Sequence, residues 1–240
     1  MSKAEQYRNE WKYLIDTAQK QTICQRLDPF LRLDKHAKDG GYMIRSLYFD
    51  DYFQTAYEEK DAGVLQRKKY RIRIYNCEDT SIKLERKKKF GAYIFKESAS
   101  LTRDEVFRIL DGDYQFLLHS DKPLCREFYV ECVSNGMRPR TIVDYDREPW
   151  TLDEGTVRIT FDMDVRAAVG SFDIFDPTLP TLSVLEPGKC VMEVKFTEFL
   201  PQFVRNILPD RGSEFTAVSK YVLCYEKTEY MNGFKYWYEN

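Results

Sequence analysis

The amino-acid sequence predicts an α+β protein in which helices flank an antiparallel β-sheet with one strongly cationic face. Charged and apolar residues alternate in several segments, and a strand sends successive side chains to opposite faces. The clearest case is the stretch 66–89, which holds ten lysines and arginines against three acidic residues, a local charge of +7 in a chain of net charge −2. Cations arrayed on a rigid sheet indicate a polyanionic ligand, such as a phosphate chain.

The individual elements follow from periodicity and from capping signals. Strands are predicted over residues 7–15, 43–50, 63–75, 81–89, 93–98, 138–145, 157–165 and 191–196. Helices are predicted from the end of the first strand to about residue 33, as a turn over 52–60, and over 102–110, 114–119, 124–134, 198–208 and 214–228. Thr102 and Glu105 form a capping-box pattern, which marks the start of the 102–110 helix.

Length and composition predict one domain over residues 1–240, because no Gly/Ser-rich or polar stretch marks a linker. The six cysteines show no CxxC spacing, and neither histidine lies near a second ligand type. Such cysteines are typical of reduced thiols in a cytoplasmic protein. We also expect no transmembrane segment, since no apolar run approaches the roughly 18 residues that a spanning helix needs. A nearly neutral total charge argues against a nucleic-acid-binding protein.

The alternating pattern has two interpretations. An antiparallel sheet with one solvated face also shows polar residues at every second position. Here, however, pairs of cations recur on strand after strand, and like charges on neighbouring strands repel. The pairs are Arg71/Arg73, Lys83/Lys87, Arg138/Arg140 and Arg158/Arg166. A closed or nearly closed barrel with a cationic interior would explain them, and Glu85 and Glu193 would then hold a divalent metal that bridges phosphates.

An ordered set of motifs resembles the catalytic domain of the vacuolar transporter chaperone (VTC) family over about residues 7–229. The motifs are EWKYLI (10–15), SLYFDD (46–51), KYRIRIY (69–75), LERKKK (84–89), RPRTIVDYDREPW (138–150), RITFDMDVR (158–166), MEVKF (192–196) and SKY (219–221). The resemblance implies the triphosphate tunnel metalloenzyme fold, an eight-stranded antiparallel tunnel. It also implies a Mn²⁺- or Mg²⁺-dependent polyphosphate polymerase that transfers the γ-phosphoryl group of ATP to inorganic polyphosphate and releases ADP.

The resemblance also assigns residues. By similarity, the phosphate-binding residues are Lys12, Arg71, Arg73, Lys87, Lys96, Arg140, Arg158 and Lys220, with Lys83, Arg138 and Lys195 in support. Glu193 matches the family's metal-binding glutamate, and Arg71, Arg73, Glu193 and Lys220 are expected to be catalytic. A polyphosphate terminus is already an anionic nucleophile, so the reaction needs positioning and charge stabilisation more than a general base.

Several alternatives stay open. Hydrolytic tunnel enzymes carry ExExK on the first strand, and Arg8, Glu10 and Lys12 form RxExK here, which favours the polymerase over a tripolyphosphate or nucleoside triphosphate hydrolase. A polyphosphate-binding module without catalysis is a third function, and a single-stranded nucleic-acid platform is a fourth. A membrane-protein partner and the oligomeric state also remain open.

Single residues have competing interpretations as well. Lys12 and Lys96 could be ordinary surface lysines, and a register error of one residue would move Lys87 to the other face. Arg140 could pair with Asp144 or Asp146. Glu193 could pair with a lysine instead of a metal, and Asp162 and Asp164 could be arginine partners.

Overall fold

A computed structural model of the protein describes residues 9–37, 40–91, 93–197, 199–209 and 218–232. Its strands are β1 (Asn9–Asp16), β2 (Arg32–Leu33), β3 (Tyr42–Asp50), β4 (Gln66–Tyr75), β5 (Glu78–Phe90), β6 (Tyr93–Ser100), β7 (Arg138–Leu152), β8 (Val157–Ala168), β9 (Thr181–Ser183) and β10 (Lys189–Phe196). Its helices are α1 (Thr17–Leu27), α2 (Thr55–Asp61), α3 (Arg103–Leu110), α4 (Gln115–Leu118), α5 (Pro123–Ser134), α6 (Gln202–Ile207) and α7 (Lys220–Asn232).

The chain divides into two compact units. Unit one comprises Met1–Met43, Tyr145–Val165 and Ser183–Ser219, and unit two comprises Ile44–Asp144, Arg166–Leu182 and Lys220–Asn240. The strands β3, β7 and β8 contribute residues to both units. The expectation of a single domain stays a prediction.

In unit one the strand order is β1-β10-β8-β7. The strands β1 and β10 are antiparallel, with Lys12 opposite Glu193, and β10 pairs with β8, with Glu193 opposite Thr160. One face of these strands is apolar and packs against α1 and α6. Its core includes Tyr13, Ile15, Leu27, Ile159, Phe161, Met192, Val194 and Val204. The other face carries the polar residues of the same alternating pattern.

In unit two the strand order is β7-β3-β4-β5-β6. The antiparallel ladders place Arg71 opposite both Tyr48 on β3 and Glu85 on β5. The apolar face of this sheet packs against α3, α4 and α5. Its core includes Leu47, Phe49, Tyr70, Ile72, Leu84, Val106, Ile109, Leu117 and Phe128. Here too the second face is the polar one, and alternation along each strand separates the two.

The predicted fold class is confirmed: helices accompany an antiparallel sheet whose main path has eight strands. Within the described residues no ladder joins β1 to β6, the two ends of that path. The capping box at Thr102 is present, with Thr102 Oγ1 accepting from the Glu105 amide and the Glu105 carboxylate accepting from the Thr102 amide. In the part of the chain that the structure describes, no helix combines the length and apolarity needed to cross a bilayer.

Three predicted helix boundaries need correction or fall outside the described residues. The first helix ends at Leu27 rather than near residue 33, and residues 32–33 instead form β2, which pairs with β7. The helix predicted over 198–208 is shorter in the structure, where α6 covers only Gln202–Ile207, and residue 198 is not described. The predicted helix over 214–228 falls partly on undescribed residues, and its described part is α7 from Lys220.

Candidate phosphate-binding faces

Three adjacent strands of unit two, β4, β5 and β6, bring their cationic side chains to the face opposite the core. Lys69 lies opposite Lys87, which lies opposite Lys96, and Arg73 lies opposite Lys83. We call this set the cationic face; it comprises Lys69, Arg71, Arg73, Lys83, Glu85, Lys87 and Lys96. The structure therefore brings together Arg71, Arg73, Lys83, Lys87 and Lys96, five of the residues predicted from the sequence.

Rows of like charges on neighbouring strands are unfavourable. Directly opposite like charges destabilise a strand pair, whereas an anion lying across them removes that repulsion. A phosphate chain carries several oxygens along its length, and Arg73 and Lys83 present a guanidinium and an ammonium group of the kinds that bind phosphate. The cationic face therefore carries an excess of positive charge that a polyanion would neutralise.

Glu85 is the single carboxylate of the cationic face, and it is buried. The Nε and Nη2 atoms of Arg71 both lie 2.7 Å from Glu85 Oε2, Arg73 Nη1 lies 4.0 Å away, and Lys96 pairs with the other oxygen. Burial opposes ionisation of Glu85, but Arg71, Arg73 and Lys96 outweigh it and lower the pKa of the carboxyl to about 2. The carboxylate holds the two arginines in place and leaves a positive excess on the face.

We expect Glu85→Gln to lower the free energy of unfolding by about 2 kcal/mol at pH 7, because three cations lose their shared counter-charge. Since the pKa of Glu85 falls from 4.5 to about 2 on folding, its contribution is complete above pH 4.5 and is lost as the pH falls towards 2. Thermal melts at a series of pH values should therefore show the variant and the unchanged protein converging on acidification. The exposed Glu78, on the same strand, gives the control Glu78→Gln; a difference that does not depend on pH would contradict this role.

The last described helix contacts the strands of the cationic face through tyrosines. Arg71 Nη1 donates to the Tyr48 hydroxyl over 2.8 Å, and the Tyr48 ring packs on Tyr221 of α7 with centroids 5.0 Å apart. Lys69 Nζ lies 4.3 Å from the centroid of the Tyr221 ring, and the Tyr221 hydroxyl donates to buried Asp50 over 2.7 Å. These contacts fix the first turn of α7, where Lys220 is the first residue.

In unit one a second set of charges surrounds Glu193, whose side chain is 8% exposed. We call it the Glu193 cluster; it comprises Glu10, Lys12, Arg147, Asp162, Glu193 and Lys195. Lys195 Nζ lies 2.7 Å from Glu193 Oε2, and Lys12 Nζ lies 3.5 Å from Glu193 Oε1 and 3.3 Å from Glu10 Oε1. Glu193 therefore pairs with two lysines, the alternative that the sequence left open beside metal binding.

Arg147 is a member of this cluster that the sequence interpretation missed. Its Nε and Nη2 donate to the two oxygens of fully buried Asp162 over 2.6 and 2.7 Å, and Nη2 lies 3.7 Å from Glu193 Oε2. Burial lowers the pKa of Arg147, but Asp162, Tyr145 and Glu193 reverse this and raise it well above its usual value. Asp162 is thus an arginine partner, which was one of its two interpretations.

The remaining predicted arginines have other contacts. Arg138 Nη1 donates to the carbonyl oxygens of Cys132 (3.0 Å) and Met137 (2.9 Å). Arg140 Nη2 donates to the Asp51 carbonyl oxygen over 3.2 Å, and Asp144 forms a buried ion pair with Arg45. In unit one, Arg158 Nη2 lies 3.1 Å from Asp34 Oδ2 and 3.1 Å from the Tyr42 hydroxyl.

The metal predicted at Glu193 requires oxygen, nitrogen or sulfur ligands from nearby side chains. Among the described residues, no group of three or more His, Cys, Asp or Glu side chains could hold an ion. Mg²⁺ typically binds through one or two carboxylates together with substrate phosphates and water. Glu193 fits that pattern as one protein ligand of an ion that arrives with phosphate.

The fold defines a class of protein, the α+β proteins in which helices flank an antiparallel sheet. Two solved structures share the fold, each at 14% sequence identity over 92% of this chain. One is the PH1819 protein from Pyrococcus horikoshii OT3, with a TM-score of 0.51 and 99% of that chain covered. The other is HpAC1 from Hippeastrum, assigned as an adenylyl cyclase with a dominant triphosphatase activity, with a TM-score of 0.55 and 96% of that chain covered.

The chain also matches the model of one protein family within this class. The model of the VTC domain family matches residues 7–229, and the chain belongs to that family, as the motifs predicted. No curated protein matches the chain.

Proposed function

We propose that this VTC-domain protein is a polyphosphate polymerase, which transfers the γ-phosphoryl group of ATP to the end of a growing polyphosphate chain. The observation that carries the proposal is the cationic face, where like charges on three strands lie opposite one another in register. Membership of the VTC domain family supports it. A polymerase binds two polyanions at once, which accounts for more cations than one triphosphate requires.

The proposed residue roles follow the resemblance to the family motifs. The phosphate-binding residues are Lys12, Arg71, Arg73, Lys87, Lys96, Arg140, Arg158 and Lys220, supported by Lys83, Arg138 and Lys195. Arg71 and Arg73 are pre-organised by Glu85, so little reorganisation is needed when phosphate charge develops on the transferred group. Arg138 fits a supporting role because its guanidinium donates to two backbone carbonyls.

The proposed phosphoryl transfer needs no general base. The attacking oxygen of a polyphosphate terminus is already ionised, so the arginines and lysines need only align it with the γ-phosphorus and neutralise the charge of both reactants. A Mn²⁺ or Mg²⁺ ion, when bound, supplies further charge neutralisation on the phosphate oxygens, and Glu193 is the residue that would hold it. In unit one, Lys12 and Lys195 pair with the Glu193 carboxylate and fix its orientation.

The second candidate function is hydrolysis of tripolyphosphate or a nucleoside triphosphate. The triphosphatase activity of HpAC1 favours it, although 14% identity carries the fold alone. On β1, Lys12 Nζ lies 3.3 Å from Glu10 Oε1, so the carboxylate of the RxExK pattern is paired with its lysine. Arg8, the first residue of the RxExK pattern, lies outside the described residues.

One assay separates these functions. Purified protein is incubated with ATP and Mn²⁺, and products are resolved on a polyphosphate gel with ADP and orthophosphate measured in parallel. We expect long chains and ADP. Orthophosphate without chains would establish the hydrolase, and tight polyphosphate binding without turnover would establish a binding module.

Glu193→Gln tests the metal ligand within the same assay. We expect turnover to fall about 100-fold or more, because the amide lacks the charge that holds the ion. Added Mn²⁺ should restore part of the activity by mass action. The exposed Glu154 in unit one provides the matched control Glu154→Gln. Full activity of the Glu193→Gln variant would show that Glu193 is not a metal ligand.

A further inference from the structure

A cavity of about 340 Å³ in unit two lies outside the residues assigned so far. Its lining residues are Asp51, Tyr52, Phe53, Ser134, Asn135 and Gly136, and we call it the aromatic cavity. One wall is the segment between β3 and α2, and the other is the turn between α5 and β7. Its volume lies in the range of small-molecule sites.

The aromatic rings of this cavity are unusually exposed. Phe53 is 78% exposed and Tyr52 is 62% exposed, and their rings meet edge to face with centroids 5.3 Å apart. A Cβ atom added at Gly136 would sit 3.9 Å from the Tyr52 Cβ, so a side chain at this position would reach across to the other wall. Exposed aromatic rings offer flat surfaces on which a planar heterocycle can stack.

Two arginines proposed to bind or support phosphate are attached to the walls of the aromatic cavity. Arg140 donates to the carbonyl oxygen of Asp51 on the first wall. Arg138 donates to the carbonyl oxygens of Cys132 and Met137, which flank the second wall. Asp50 also accepts from Tyr221, so contacts continue from this wall through Tyr221 and Tyr48 to Arg71.

We propose that the aromatic cavity binds the nucleobase of the nucleoside triphosphate. The base stacks on the face of the Phe53 ring, and the Tyr52 ring, which is perpendicular to Phe53, contacts the base edge to face. The hydroxyl group of Ser134 and the amide oxygen of Asn135 supply polar groups for the edge of the base. The triphosphate extends towards Arg140. This inference rests on the proposed function and adds what distinguishes ATP from bare tripolyphosphate as a ligand of this protein.

The experiment compares two ligands that share a triphosphate and differ in the base. ATP, in the form of a non-hydrolysable analogue, and tripolyphosphate are titrated calorimetrically with Mg²⁺ into the unchanged protein and into Phe53→Ala. Tyr230→Ala, at a position 86% exposed on α7, is the control. We expect Phe53→Ala to weaken ATP binding about tenfold and to leave tripolyphosphate affinity within about twofold, since stacking on one ring is lost. Tyr52→Ala should show the same selectivity.

The other outcomes each overturn a defined statement. An equal loss for both ligands, or no loss for either, would overturn the base site and leave the polymerase proposal standing. An oligomer that dissociates on Phe53→Ala, seen by light scattering, would show the cavity to be a subunit interface and would overturn the base site too. Failure of the unchanged protein to bind tripolyphosphate would overturn the proposed function together with this inference.

Discussion

Arg147→Ala is expected to lower the free energy of unfolding by about 3–5 kcal/mol, because it leaves the fully buried carboxylate of Asp162 without its counter-charge. Arg147 donates to both Asp162 oxygens, and its side chain is 10% exposed, so water cannot replace the lost bonds at low cost. Chemical denaturation at pH 7 measures the change directly. The loss should appear as a lower midpoint at constant m-value.

A double-mutant cycle separates the ion pair from other consequences of the substitution. Arg147→Met combined with Asp162→Leu removes both charges, and we expect it to recover most of the stability, since a buried pair replaced by apolar groups is often neutral. Arg26→Ala, at an exposed position on α1, is the control for loss of an arginine. A change below about 1 kcal/mol for Arg147→Ala would show that Asp162 is solvated or protonated instead.

The strands were predictable because burial on one face leaves a period of two in the sequence. Residues 69–73 show it most clearly: Tyr70 and Ile72 lie in the core, and Lys69, Arg71 and Arg73 lie on the opposite face. The capping box at Thr102 was predictable for a different reason, because it depends only on residues that are close together in the sequence. The end of α1 was not predictable, because residues 32–33 leave the helix to pair with β7 more than a hundred positions away.

The cationic face was largely predictable and the Glu193 cluster only in part. Lys87 is the cross-strand partner of both Lys69 and Lys96, so it lies on the cationic face, as alternation along β5 predicted. The same alternation along β4 also predicts Lys69 on this face. Arg147 lies seven residues after Arg140 on β7, so strict alternation would place their side chains on opposite faces of the strand. Its partner Asp162 comes from another strand, and such pairing is fixed by register rather than by local sequence.

Arg73 is a buried arginine that lies directly opposite another cation. It is 8% exposed, it lies 4.0 Å from Glu85, and its cross-strand partner is Lys83, a like charge. Arg71 makes the shorter contacts to Glu85, at 2.7 Å. Removing Arg73 therefore relieves repulsion within the face while it deletes a guanidinium group that a phosphate would contact.

We accordingly expect Arg73→Ala to reduce the rate of polyphosphate synthesis by about 100- to 1,000-fold and tripolyphosphate affinity by at least tenfold, with a change in unfolding free energy of about 1 kcal/mol or less. Initial rates of ADP release, calorimetric titration and thermal melts measure the three quantities. Arg73→Lys should retain the charge but lose the planar fork, and its rate should lie between those of the Ala variant and the unchanged protein. Arg108→Ala, on the exposed side of α3, controls for general loss of positive charge. A large loss of stability with unchanged affinity would make Arg73 a structural residue and would remove the central argument for phosphate binding on the cationic face.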